Sequence, residues 1–232
     1  MSRRAAARDD VRHGGGAQCA PVGEVARHKR RPYDAVMALA PGDGRVARRE
    51  GNRLAVIEAV LAFFDEGVMD PSVEQIIERS GVSERSIFRY FEGLDELRSA
   101  VVERTFEQVA PLLVTAGAST APLDERIEVL ITNRLAVFQA AAGTARVARV
   151  REAEVPAMAA AVHRFREQLA AQIRALLAPE LATRARVEGE QLAVLLAVLL
   201  SFEGWELQKR LGRSTDEIRR AWDLGVRALL AS

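Results

Sequence analysis

Apolar positions along this chain recur at three and four residues, the period of a helix buried on one side. From Arg49 onward, Leu54, Ile57, Leu61 and Phe64 mark one such face, and Gly67 offers a stop. Ser72 with Gln75 three residues later is a capping box, which predicts a helix over 73–80. Gly81 breaks that helix, and Ser83 opens another that reaches about Phe91. A longer helix is predicted from Leu94 or Asp95 to about Val109. Beyond Pro122 the pattern gives four or five longer helices. One carries Ile127, Leu130, Ile131, Leu135 and Phe138, and Arg146 to Glu152 reads as a separate short helix. Pro156 suits a first helical position, and Val162, Phe165, Leu169, Ile173 and Leu176 follow it as a stripe. Residues 188–210 read as nearly one continuous helix, ended by Gly212. Ser214 with Glu217 forms a second capping box, opening a last helix to about Leu230. Runs alternating at period two are missing, so the fold class is all-α.

The 232 residues, 49% of them hydrophobic, are enough to bury a substantial core. The longest apolar run, Leu192 to Leu200, is far short of the roughly 20 residues a membrane span needs, so no membrane is expected. The lone Cys19 excludes an internal disulfide and fits a reducing cytoplasm, the expected location. The net charge of +1 conceals an asymmetry. Residues 1–49 carry eleven Lys/Arg and five Asp/Glu, whereas residues 50–110 carry six and thirteen. Residues 1–48 lack periodicity and are read as a disordered basic tail. Met37 is a second candidate translation start. The division expected is 1–48 tail, 49–97 helix-turn-helix domain, and 98–232 ligand-binding and dimerisation domain.

The informative segment is Ser72 to Phe91, two short helices joined by Gly81-Val82-Ser83, the spacing of a helix-turn-helix. Gly81 can take the left-handed conformation a tight turn demands, and Val82 is an apolar peg between the helices. Ile76, Ile87 and Phe91 share a small core with the first helix, which leaves Arg85, Ser86, Arg89 and Tyr90 on the outer face. Guanidinium, hydroxyl and phenol groups there suit base edges and phosphates. This stretch resembles the tetracycline-repressor (TetR) family of transcriptional regulators. The resemblance rests on Phe64-Asp-Glu-Gly67, then Val68-Met-Asp-Pro-Ser-Val73, Gly81-Val-Ser83, Ser86-Ile-Phe-Arg-Tyr-Phe91 and Leu94-Asp-Glu-Leu97. It covers about residues 50–100. It implies that Ser83, Arg85, Ser86, Phe88, Arg89 and Tyr90 lie at or near double-stranded operator DNA. Phe88 either touches a thymine methyl or packs in the core. The chain departs from the family at Ile77, where a small residue is usual, and at Leu94, where a lysine usually serves a phosphate. Arg45, Arg48 and Arg49 are candidate arm contacts that would replace the missing cation.

The resemblance further implies a helical homodimer that releases DNA when an unidentified small molecule binds. The run Gln191 to Ser201 is apolar all round, more than one internal face consumes. Leu192, Leu195, Leu196, Leu199 and Leu224 are the candidate dimer contacts. Phe138, Met158, Phe165, Phe202 and Trp205 are candidate apolar pocket residues, with Asn133, Arg134 and His163 as polar ones. The three histidines are isolated, and no nucleophile elbow, phosphate loop or metal-spaced cluster is present, so neither enzyme activity, metal nor cofactor is expected. The alternative is a helical ligand- or protein-binding module without DNA binding.

Overall fold

The computed structural model describes residues 44–114 and 117–232. The expected tail therefore lies outside the described residues up to position 43. Ten α-helices are formed among the described residues, and no strand. The first, α1 (Gly44–Asp65), begins five residues before the expected start at Arg49. Arg45, Arg48 and Arg49 thus ride on a helix instead of a loose arm, because Ala47 and the arginines are good helix formers. Its buried side is Val56, Ile57, Val60, Leu61 and Phe64; Leu54, expected on that side, is 39% exposed. The helix ends in paired bonds, Gly67 N–H to the Phe64 carbonyl at 3.1 Å and Val68 N–H to the Phe63 carbonyl at 2.9 Å. Those two bonds satisfy carbonyls the helix would otherwise leave open.

The short pair α2 (Val73–Ser80) and α3 (Glu84–Tyr90) stands where the sequence places it. In the capping box the Ser72 N–H donates to Gln75 Oε1 at 2.8 Å, and the Gln75 N–H donates to Ser72 Oγ at 3.3 Å. Gly81 turns the chain at φ 69°, a conformation that a β-carbon disfavours. Val82 is buried as a peg with Ile76, Ile87 and Phe91, in one core with α1. Arg79 locks this unit from outside, with a bidentate pair to Glu66 at 2.9 Å and its guanidinium 3.6 Å from the Phe63 ring centre.

Helix α4 (Leu94–Val109) belongs to both halves of the molecule. Leu97 and Val101 enter the core with α1 to α3, while Val109 enters the larger core beyond. The expected division at residue 97 therefore falls inside a single helix. Next is α5 (Leu123–Arg151), 29 residues long, which absorbs the short helix expected at Arg146 to Glu152. Nothing breaks it there: Gly143 and the alanines around it keep the helix register. Then come α6 (Pro156–Leu176) and the single turn α7 (Ala178–Ala182). The expected continuous helix over 188–210 is in fact two, α8 (Arg186–Leu199) and α9 (Phe202–Arg210). Ser201 makes the break by accepting the Gly204 N–H at 3.1 Å, an N-cap inside an apolar run. The last, α10 (Thr215–Ala231), opens with the expected capping box, Ser214 N–H to Glu217 Oε2 at 2.8 Å.

Close contacts at Gly143 and Thr144 join α5 to the first half. A β-carbon built on Gly143 would lie 2.3 Å from the Phe64 carbonyl oxygen, so α1 crosses α5 at backbone contact. One residue on, Thr144 shares a buried 3.0 Å hydrogen bond with Thr105 of α4. Gly143→Ala should therefore force the helices apart and cost on the order of 1–3 kcal/mol. At about 2–4 °C per kcal/mol for a domain this size, thermal unfolding followed by circular dichroism should show a clear drop. An unchanged midpoint would mean that α1 and α5 are free to separate.

Candidate nucleic-acid interface and ligand cavity

On α3, Arg85, Phe88 and Arg89 are exposed at the spacing i, i+3 and i+4 that shares one helix face, with Glu84 exposed at the start of the helix. Phe88 is 45% exposed, so of the two readings left open by the sequence, packing in the core is excluded. Ser83 Oγ hydrogen-bonds to Ser86 Oγ at 3.1 Å, and Arg89 Nη2 donates to Ser86 Oγ at 3.3 Å. Five of the six residues expected near DNA thus share this surface. Tyr90 differs from the expectation. It is only 9% exposed, with its ring in the core beside Ile87 and Phe91. The reason is spacing: Tyr90 follows Ile87 by three residues and inherits its inward face. Its hydroxyl still reaches the rim, where Arg89 Nη2 donates to it at 3.2 Å. Hydrogen bonds with Arg89, then with Asn52, hold the phenol below its ordinary range.

Asn52 connects α3 to a second surface. Positions 45, 48, 49 and 52 of α1 lie at helical spacing on one side, and Arg45, Arg48 and Arg49 are exposed. This basic row ends at the Asn52–Tyr90–Arg89 contact, so it is continuous with the outer face of α3. Leu94, where the sequence lacks a cation, is partly buried against the core.

A cavity of about 530 Å³ opens between α5, α6 and α8. Phe106, Phe138, Phe165 and Phe202 supply much of its wall, with Phe106 stacked on Phe165 at 4.2 Å. Three of the five expected apolar residues therefore line it. Met158 and Trp205 do not. Met158 is fully buried in a small core with Val102 and Val162, and Trp205 sits behind Phe138 and Phe202. Of the expected polar residues only Arg134 lines the cavity; Asn133 is absent from its wall and His163 is exposed. Arg149, Arg166 and Glu203 stand near the mouth, and sequence reasoning missed all three because their helical phase could not be told from solvent-facing positions.

The expected dimer contacts divide. Leu192 and Leu196 are buried in the chain's own core, which corrects their assignment to an external interface. An all-round apolar helix spends one face internally, and periodicity alone does not say which leucines are spent. Leu195 and Leu224 are 53% and 71% exposed, and Leu199 is half-buried against Gly225 of α10. Val194 and Val198 of α8 are exposed as well, and both also line the cavity.

No helix among the described residues is long and apolar enough to cross a membrane, and no His/Cys/Asp/Glu group among them could hold a metal. No family model matches the chain, and no curated protein matches it either. Solved structures do. A protein of Mesorhizobium loti assigned to the TetR-family transcriptional regulators is 22% identical, with a TM-score of 0.62 over 79% of this chain and 97% of its own. A Pseudomonas aeruginosa protein assigned as a transcriptional regulator is 20% identical, with a TM-score of 0.62 over 79% of this chain and 92% of its own. A Rhodococcus transcriptional regulator is 16% identical, with a TM-score of 0.57 over 79% of this chain and 96% of its own. The chain therefore has the fold of these regulators along almost their whole length.

The burial of Tyr90 and exposure of Phe88 predict opposite mutational behaviour. Phe88→Ala should change urea-unfolding stability by no more than about 0.5 kcal/mol, whereas Tyr90→Ala should cost about 3 kcal/mol. The reverse order would return Phe88 to the core.

Proposed function

We propose that this chain is a transcriptional regulator that binds double-stranded operator DNA as a homodimer and lets go when a small molecule fills its cavity. The observation that carries the DNA reading is the continuous surface from Arg45 on α1 to Arg85 and Arg89 on α3, built on a helix-turn-helix. Arg85 has no hydrogen-bond or ion-pair partner among the described residues, so its guanidinium is available to a base edge. Arg45, Arg48 and Arg49 sit on a formed helix, so placing them against phosphates costs little chain entropy. The fold of the regulators with which the chain aligns supports the same reading.

The homodimer reading rests on the outer apolar face of α8 and α10. Leu195 and Leu224 are more than half exposed, on helices whose inner faces are already packed, and the equally exposed Val194 and Val198 also line the cavity. A second copy is the partner that a self-complementary apolar face suits, and twofold symmetry would set two α3 helices roughly 34–36 Å apart, one turn of DNA.

Release would run through α5. Ala141, Ala145 and Ala148 line the cavity, while Gly143 holds the end of α1 and Val147 enters the core of the reading head. A ligand that favours a shifted α5 would move α1 and with it the separation of the two α3 helices. The effect can be no larger than the ligand's differential affinity for the two positions.

DNA binding is tested by fluorescence anisotropy against the region upstream of the gene, across a salt series. Arg85→Ala should weaken binding by about 1–3 kcal/mol and relax specificity at one base pair. Each of Arg45, Arg48 and Arg49 that meets a phosphate should, when changed to alanine, flatten the salt slope by about 0.9 in log K per log salt. Unchanged affinity in every variant would leave a helical binding module that does not read DNA. For assembly, light scattering at micromolar concentration should report a dimer. Leu195→Glu and Leu224→Glu should give folded monomers, whereas Leu196→Glu should unfold the chain, because it buries a charge inside the protomer. A wild-type monomer would end the two-half-site picture.

A further inference from the structure

The wall of the cavity contains a cation that the protein does not neutralise. Arg134 is 1% exposed. Its Nη1 donates to the Leu200 carbonyl at 3.3 Å, and its Nη2 to the Leu169 carbonyl at 3.0 Å and to Gln172 Oε1 at 3.1 Å. All three acceptors are neutral. Its Nε has no acceptor, and neither has the neighbouring Gln172 Nε2, although both atoms are buried. Burial pushes the guanidinium down to about 10, so it still carries its charge at neutral pH. A buried charge without a counter-ion is costly, and a buried donor without an acceptor adds to that cost.

Arg149, Arg166 and Arg174 also line the cavity, but Arg166 pairs with Glu152 at 2.9 Å and Arg174 with Glu190 at 3.4 Å, which leaves Arg134 as the lining arginine without a carboxylate partner among the described residues. Glu203 is already engaged, 3.7 Å from Arg149 and 3.6 Å from Arg166. Between this rim and Arg134 the wall is phenylalanine, alanine, valine and leucine. We propose that the cavity takes an amphipathic monoanion, a carboxylate on an apolar body, with Arg134 as its counter-ion. The carboxylate supplies the acceptor that Arg134 Nε lacks, and the body covers the phenylalanine wall. A phosphate would bring more charge than one guanidinium balances and more oxygens than one free donor serves. This assignment rests on the reading of the cavity as a regulator's ligand site, and it names the class of that ligand.

The test uses the purified full-length chain and two matched pairs of probes: dodecanoate with dodecanol, and 2-naphthoate with 2-naphthalenemethanol. Binding is followed by calorimetry and by tryptophan fluorescence, since Trp205 touches Phe138 and Phe202 of the cavity wall. At least one acid should bind about tenfold or more tightly than its alcohol. Arg134→Met should erase that preference while leaving alcohol binding in place; a merely structural arginine would leave the preference unchanged. If Arg134→Met does not fold, Ala145→Phe narrows the cavity without touching the charge, and it should abolish acid binding. Acids that bind no better than their alcohols, or that bind Ala145→Phe as well as wild type, overturn the proposal. Operator affinity is measured alongside with the best-bound acid. Acid preference without any change in DNA binding upholds the assignment and removes the release mechanism. DNA binding without acid preference overturns the assignment and leaves the DNA reading standing.

Discussion

The helix-turn-helix half and the cavity are joined at backbone contact where α1 crosses α5 at Gly143, with α4 as a second bridge through Phe106 in the cavity wall. The Phe64 carbonyl lies where a β-carbon of residue 143 would be. No side chain cushions that contact, so the two backbones move together. Val147 on the same helix enters the core of the helix-turn-helix half, and the Thr105–Thr144 hydrogen bond ties α4 into the same place. Close-packed interiors rearrange in steps and do not stretch. A displacement of α5 at the cavity therefore has to be taken up by α1, and α1 carries α2 and α3 with it.

The charge distribution makes sense only on this frame. Residues 50–110 are strongly acidic, which in the sequence argues against DNA. In the fold, several of those carboxylates are engaged in holding the head together. Glu66 pairs with Arg79, and Asp70 and Asp95 pair with the buried Arg98. Arg151 of α5 also approaches Asp70, at 3.9 Å. The basic row of α1 and the arginines of α3 share a separate surface. Net charge over a block of sequence is thus a poor guide to the field that a bound helix of DNA would meet, because that field is set by the facing surface. The same bookkeeping isolates Arg134. Arg126, buried nearby in the same helix, has its charge matched by Glu180 at 2.6 Å, with both pKa values moved in the direction of a formed pair. Arg134 has carbonyls, an amide and the Phe138 ring 5.9 Å away but no carboxylate, and burial moves it the other way.

Local chemistry made the helix-turn-helix and several helix ends legible in the sequence. The capping boxes at Ser72 and Ser214, the turn at Gly81 and the peg Val82 each act over a few residues, so each can be read from the chain alone. The all-helical class, the short helix pair and Arg85 and Arg89 at the surface followed from spacing. Errors came where spacing is ambiguous. Tyr90 has a polar tip on an apolar ring, and its burial is decided by the neighbours of Ile87. The break at Ser201 rests on one hydroxyl inside an apolar run whose periodicity suggested no interruption. At the other end, the first helix starts earlier than its apolar face because an exposed first turn leaves no hydrophobic mark.

The sequence by itself determined the helical class, the helix-turn-helix and the existence of an unspent apolar surface, because those depend on propensity, capping and short-range periodicity. Tertiary structure alone decided which leucines of α8 are internal and which are exposed, since a helix that is apolar all round carries no signal of which side its own chain will cover. It also decided that Phe138, Phe165 and Phe202 enclose a cavity while Met158 fills a core. Most of all, it decided the meaning of Arg134. An arginine in a helical stripe looks like any solvent-facing charge. Only the packing of α6 and α8 around it removes the water and leaves its charge without a partner.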